Sequence, residues 1–164
     1  MSRDYDDEPR RFNALGVLTL ILSIGAVALA GWTLYRVDYA KEDGYDAIQR
    51  ADAKVKICAA METVRKGVSL NTNLAPAGGP QDVTGSQAVA ANARVSLYDG
   101  GQYLIAKLDP ATPEDLAGKV REFANQLMDI GANATAGVPN EDPAQAKRLQ
   151  DADATNTAIT ELCK

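Results

Sequence analysis

Residues 12–35, FNALGVLTLILSIGAVALAGWTLY, carry no charged side chain, whereas the sequence on both sides is dense in Asp, Glu, Arg and Lys. A run of roughly 24 such residues is long enough to cross a hydrocarbon core as one helix. Its edges fit that reading: Arg10 and Arg11 precede it, Arg36 follows it, and Trp32 and Tyr35 fall where amphipathic rings favour the headgroup level. The pattern predicts a disordered tail over 1–11, a transmembrane helix over 12–35 and an exterior helical domain over 36–164. The competing expectation is a cleaved signal peptide, because Ala28-Leu29-Ala30 fits an A-x-A cleavage site. Against cleavage, the apolar run continues through that site to Tyr35, and Asp4, Asp6, Asp7 and Glu8 offset the basic residues expected ahead of a signal sequence.

Beyond the apolar run the period changes to that of amphipathic helices. Ile48, Ala51, Val55, Cys58 and Met61 recur at spacings of three and four, with Gly44 the sole breaker after Val37, so one helix is expected over 37–71, continuous with the span before it. Two prolines and three glycines within 75–86 can only form a loop. A second exterior helix is expected from Ser86, with Val89, Ala93, Leu97, Gly101, Leu104 and Leu108 on one face, stopped by Asp109-Pro110. Gly100-Gly101 within it costs about 2 kcal/mol of helix propensity, so a kink, a break or a close backbone approach is expected there. The third helix has the clearest start: Thr112 as N-cap, Pro113 at the first helical position, and Glu114 and Asp115 in the first turn facing the positive helix end. Leu116, Val120, Phe123, Leu127 and Ile130 form its buried face. Asp142-Pro143 repeats the start signal for a last helix carrying Ala146, Leu149, Ala152, Ile159 and Leu162, whose polar middle, Thr155-Asn156-Thr157, reads as the weakest core segment. The fold class is therefore all-α: one transmembrane helix followed by an antiparallel bundle of about four helices.

Within the apolar run, Gly16, Thr19, Ser23, Ala26, Ala30 and Thr33 recur at 3-4-3-4-3 spacing and share one helix face. In lipid, helices associate through close packing and Ser/Thr hydrogen bonds, so this face is a candidate membrane-helix docking surface. The alternative is that Gly and Ala are simply frequent in membrane helices.

Charge and composition narrow the functions. A formal net charge of −5 and no strongly basic stretch make nucleic acid a poor partner. There is no histidine, which removes the commonest general base and metal ligand. No P-loop, dinucleotide fingerprint, nucleophile elbow or EF-hand loop occurs, and neither cysteine lies in a C-x-x-C pair. Catalytic residues, metal ligands and cofactors are thus not expected, and the chain reads as a non-enzyme. The acidic pairs Glu42-Asp43, Glu114-Asp115 and Asp151 with Asp153 read as solvated surface, and Asn133-Ala134-Thr135 fits a glycosylation sequon too short to carry weight. Tyr98, Tyr103 and Phe123 are the aromatics expected in or near the core, where they pack or line a small apolar pocket.

Cys58 and Cys163 are the only cysteines. If the first exterior helix rises from the membrane and the last descends to it, the two arrive at similar heights, so a disulfide is expected over the alternative of two unrelated buried thiols, and with it an oxidising compartment. Flanking arginines and lysines alone leave the orientation ambiguous. Large domains translocate with little regard to charge, so the disulfide places the bundle outside and the N-terminus in the cytoplasm, in the inner (plasma) membrane.

The stretches CAAMETVRKGVSLNTN, ANARVSLYDGGQYLIAKLDPATPEDLAGKVREFANQL and ITELCK resemble a family of actinobacterial single-pass membrane proteins with a helical exterior domain, accessory to Mce lipid importers. The resemblance implies an added subunit of an envelope complex that moves fatty acids or other lipids inward, with permease and Mce-type proteins and the bilayer as partners. It brings no site residues. A tethered module that binds a lipid or small hydrophobic ligand is the alternative function.

Overall fold

A computed structural model of the chain describes residues 14–39 and 44–164, with side chains described over 21–35 and 44–164. It holds five α-helices and, among the described residues, no strand. They are α1 (Ala14–Tyr39), α2 (Ala47–Thr72), α3 (Val83–Lys107), α4 (Glu114–Thr135) and α5 (Pro143–Leu162). The chain divides into two compact units, Met1–Tyr45 and Asp46–Lys164.

In the first unit, the described side chains of α1 are all exposed, with Leu29 and Leu34 more than two-thirds so. Among the described residues no helix is long and apolar enough to cross a membrane. The described side chains of α1 cover 21–35, which at 1.5 Å per residue is about 22 Å. The expected tail over 1–11, and Gly16 and Thr19 of the small-residue face, lie outside the described side chains.

The second unit is an all-α bundle in which each helix packs on the next in chain order. The helix expected over 37–71 is not continuous: residues 44–46 are not helical, and Asp46 starts α2 afresh. The Asp46 side chain accepts from Gln49 N at 2.8 Å and the Gln49 side chain accepts from Asp46 N at 2.9 Å, a reciprocal capping box. α3 also starts earlier than Ser86, because Asp82 accepts from Gly85 N at 2.8 Å. At α4 the cap falls on Pro113, whose extended ψ of 135° makes it the last non-helical residue, and Ala117 N bonds its carbonyl at 2.8 Å. Thr112 is therefore not the N-cap. It is buried and its hydroxyl makes no hydrogen bond. Asp142 caps α5 through Ala144 N and Gln145 N, with Pro143 in the first turn.

Gly100 and Gly101 neither kink nor break α3; they are points of close approach. A Cβ on Gly101 would lie 2.5 Å from the Ala124 carbonyl oxygen, and one on Gly100 2.9 Å from Val64 Cγ1. The glycines let α3 press against α4 on one side and α2 on the other. Around them lies the core of Ile57, Met61, Val64, Leu104, Leu127 and Ile159, all buried. Tyr98 and Tyr103 are 50% and 40% exposed, so of the three aromatics expected in the core only Phe123 is buried there.

Candidate functional site

α2 and α5 run in opposite directions and are joined by the Cys58–Cys163 disulfide, with Cα atoms 5.8 Å apart. Seven residues away on each helix, Arg65 Nε donates to Asn156 Oδ1 at 2.6 Å and Arg65 Nη2 to the Asn156 carbonyl at 3.5 Å. Burial pushes the Arg65 guanidinium below its ordinary range, and the negative charge of Glu62 opposes that shift. The polar middle of α5 is thus a fastening. Thr155 is buried with its hydroxyl on the Asp151 carbonyl, and Asn156 bridges to α2.

On the side of this bond away from the disulfide, the bundle interior opens into a cavity of about 750 Å³. Its apolar wall comes from every bundle helix: Val68 of α2; Val89, Ala90, Ala93 and Leu97 of α3; Phe123, Leu127 and Ile130 of α4; Leu149 and Ala152 of α5. The two loops at that end also contribute, through Pro76 and through residues 137–141. The second loop is fixed by a left-handed stop to α4. Gly137 has φ +88°, its N–H bonds the Ala134 carbonyl, and Val138 N bonds the Asn133 carbonyl. These are the paired bonds of a Schellman motif. α5 is held against this end by Gln145, which is fully buried and donates through Nε2 to the Ile130 carbonyl at 3.1 Å.

The polar residues of the cavity are few: Arg94, Asn140, Glu141, Asp153, Asn156 and the hydroxyls of Thr72 and Ser86. Glu141 and Asp153 are exposed. Arg94 is partly buried and its guanidinium makes no hydrogen bond or ion pair with any described residue. It also lines a second hollow of about 440 Å³ between α3 and α4, with Tyr98 and Gly131. An arrangement of aliphatic walls with a few polar groups can hold an apolar molecule.

Of the residues singled out in the sequence, the structure brings Cys58 and Cys163 together. Ser23, Ala26, Ala30 and Thr33 are exposed on α1, and the Thr33 hydroxyl donates to the Ala30 carbonyl at 2.9 Å. Among the described residues, no group of three or more His, Cys, Asp or Glu side chains is placed to hold a metal ion. Asn133 and Thr135 of the sequon sit within α4, with side chains bonded to the Asp129 and Gly131 carbonyls. Arg65, Arg94 and Gln145 carried no signal in the sequence. Each is one polar residue in an amphipathic helix, and its role depends on a partner or a cavity far away in the chain. Comparison with protein-family models, with curated proteins and with solved structures finds no match.

Proposed function

We propose that the chain is a non-catalytic, membrane-anchored accessory subunit of a multi-subunit envelope complex, of the Mce lipid-importer kind that its sequence resembles. Within that family it resembles the mycobacterial subunit called lipid uptake coordinator B. The observation that carries the reading is the pairing of a charge-free apolar run ahead of the bundle with a disulfide inside the bundle. The first is chemistry for a bilayer, and the second belongs to an oxidising space. On this reading the N-terminus lies in the cytoplasm and the bundle outside it, at the inner membrane, with permease and Mce-type subunits as neighbours. The test is purification of the tagged chain from native membranes after mild cross-linking, followed by identification of what travels with it. Recovery with membrane subunits of a transporter is expected; recovery alone, or a periplasm-active reporter that stays silent when fused after Lys164, would overturn the reading.

A second reading is favoured by a specific observation, the cavity of about 750 Å³ with its aliphatic walls. On it the bundle itself holds a lipid or another small hydrophobic ligand. The two readings are compatible, since a subunit can dock through one surface and hold cargo in another. Saturable displacement of a neutral apolar fluorophore, N-phenyl-1-naphthylamine, from the full chain in nanodiscs tests the second separately.

A further inference from the structure

We infer that the cavity takes a single-chain aliphatic carboxylate of medium length, its head turned inward to Arg94 and its tail running towards the Pro76 and Ser86 end. The inference rests on the second reading above and adds the chemical class of the ligand.

The chain part follows from the walls. They are built of Val, Ala, Leu and Ile around one ring, Phe123, with no aromatic cage to select a flat or cationic ligand. The head follows from Arg94. Arg94 lines the cavity and the neighbouring hollow between α3 and α4, is partly buried, and has no hydrogen-bond or ion-pair partner among the described residues. A cation that has lost part of its hydration beside apolar walls gains more from an anion than a surface cation does, and the guanidinium fork matches a carboxylate in two parallel bonds. Glu141 and Asp153 also line the cavity and oppose an anion. Both are exposed, so water and salt screen them more strongly than the partly buried Arg94.

The length follows from the helix. Ser86 lies eight residues before Arg94 on α3, about 12 Å along the axis. At about 1.2 Å per bond of an extended chain, that distance takes roughly ten bonds. Decanoate is therefore the probe, and decanol, with the same tail and no charge, its control.

Binding of radiolabelled decanoate and decanol to the full chain in nanodiscs, corrected for empty discs, tests the inference. Decanoate is expected to bind at least tenfold more tightly than decanol. Arg94→Gln should weaken decanoate at least tenfold and decanol far less, so that the difference between them is lost, and Arg94→Lys should keep most of it. Ala93→Phe, which fills the apolar wall, should weaken both ligands. Circular dichroism and an intact disulfide establish that each variant is folded. Equal affinity for acid and alcohol in the wild type, or a preference that survives Arg94→Gln, overturns the anionic head while the apolar-ligand reading stands. Absence of saturable binding for decanoate, decanol and the neutral fluorophore alike overturns both.

Discussion

Arg65 and Asn156 each lie seven residues, two helical turns, from a cysteine of the same disulfide, so α2 and α5 are tied at two levels about 10 Å apart. The disulfide closes one end of the seam between these helices, and the hydrogen bond marks where the cavity begins. Asn156 belongs to both structures, as a partner of Arg65 and as part of the cavity lining.

Removing this bond should loosen the upper seam. Asn156→Ala leaves a partly buried guanidinium without its acceptor and is expected to lower stability by about 1–2 kcal/mol. Asn156→Asp supplies a carboxylate at the same place and should restore or exceed wild-type stability, because a charge-assisted bond replaces a neutral acceptor. Denaturant midpoints of the two variants, with the disulfide intact, decide the matter. An Ala variant as stable as the parent would show that the bond contributes nothing.

The disulfide closes a loop of 105 residues and secures a helix that ends one residue before Cys163. Chain entropy alone allows a contribution of about 4–5 kcal/mol, with 2–5 kcal/mol the usual loss on removal. A Cys58→Ser, Cys163→Ser double variant is expected to lose stability in that range. Amide exchange should accelerate first in the last turns of α5, which then fray as free termini do. In unreduced wild-type protein extracted from membranes, mass spectrometry should find the two cysteine peptides linked; two freely alkylated thiols would refute the bond.

The helical glycines divide into opposite cases. Gly101→Ala places a methyl group 2.5 Å from the Ala124 carbonyl oxygen and 2.6 Å from Met128 Cγ, and only the Met side chain can move aside. It is expected to cost about 1–3 kcal/mol. Gly118, exposed on α4, has nothing within 4 Å of such a methyl group. Gly118→Ala should stabilise by about 0.5–1 kcal/mol through helix propensity and reduced unfolded-state entropy. Thermal unfolding of the two variants should move in opposite directions.

Much of the bundle was readable locally because its signals are local. Asp142-Pro143 announces α5, the acids after Pro113 announce α4, and the three-four spacing of Leu116, Val120, Phe123, Leu127 and Ile130 marks a face that is indeed buried. The starts of α2 and α3 were misplaced because aspartates cap them. Asp46 with Gln49, and Asp82 with Gly85, are short polar pairs that compete with stronger apolar periodicity nearby. Gly100-Gly101 signalled that something unusual occurs but not which of three outcomes, since the answer lies in Val64 and Ala124. Of the cavity, the sequence marks Phe123, an aromatic expected to pack or line an apolar pocket, but not the pocket's place or size. Its wall comes from four helices and two loops, brought together by packing between residues far apart in the chain.

The small-residue face of α1 carries the remaining prediction. Ser23, Ala26, Ala30 and Thr33 lie on it, all exposed, and a Cβ added at neighbouring Gly25 or Gly31 would meet nothing within 4 Å. If the face docks on another membrane helix, close backbone approach is what it offers, and bulk there is what it cannot accept. Replacing Ser23 and Ala26 by Leu should therefore reduce the partner complex recovered from native membranes several-fold. Replacing Leu20 and Ile24 by other large apolar residues should leave recovery nearly unchanged. Insertion is not at issue, because every incoming residue is apolar and the run keeps its length. Recovery is normalised to each variant's own level in the membrane. Equal recovery for the two pairs would remove the face as a docking surface. Association would then have to come from the bundle, though not from Gly100 and Gly101, which are buried between α2 and α4.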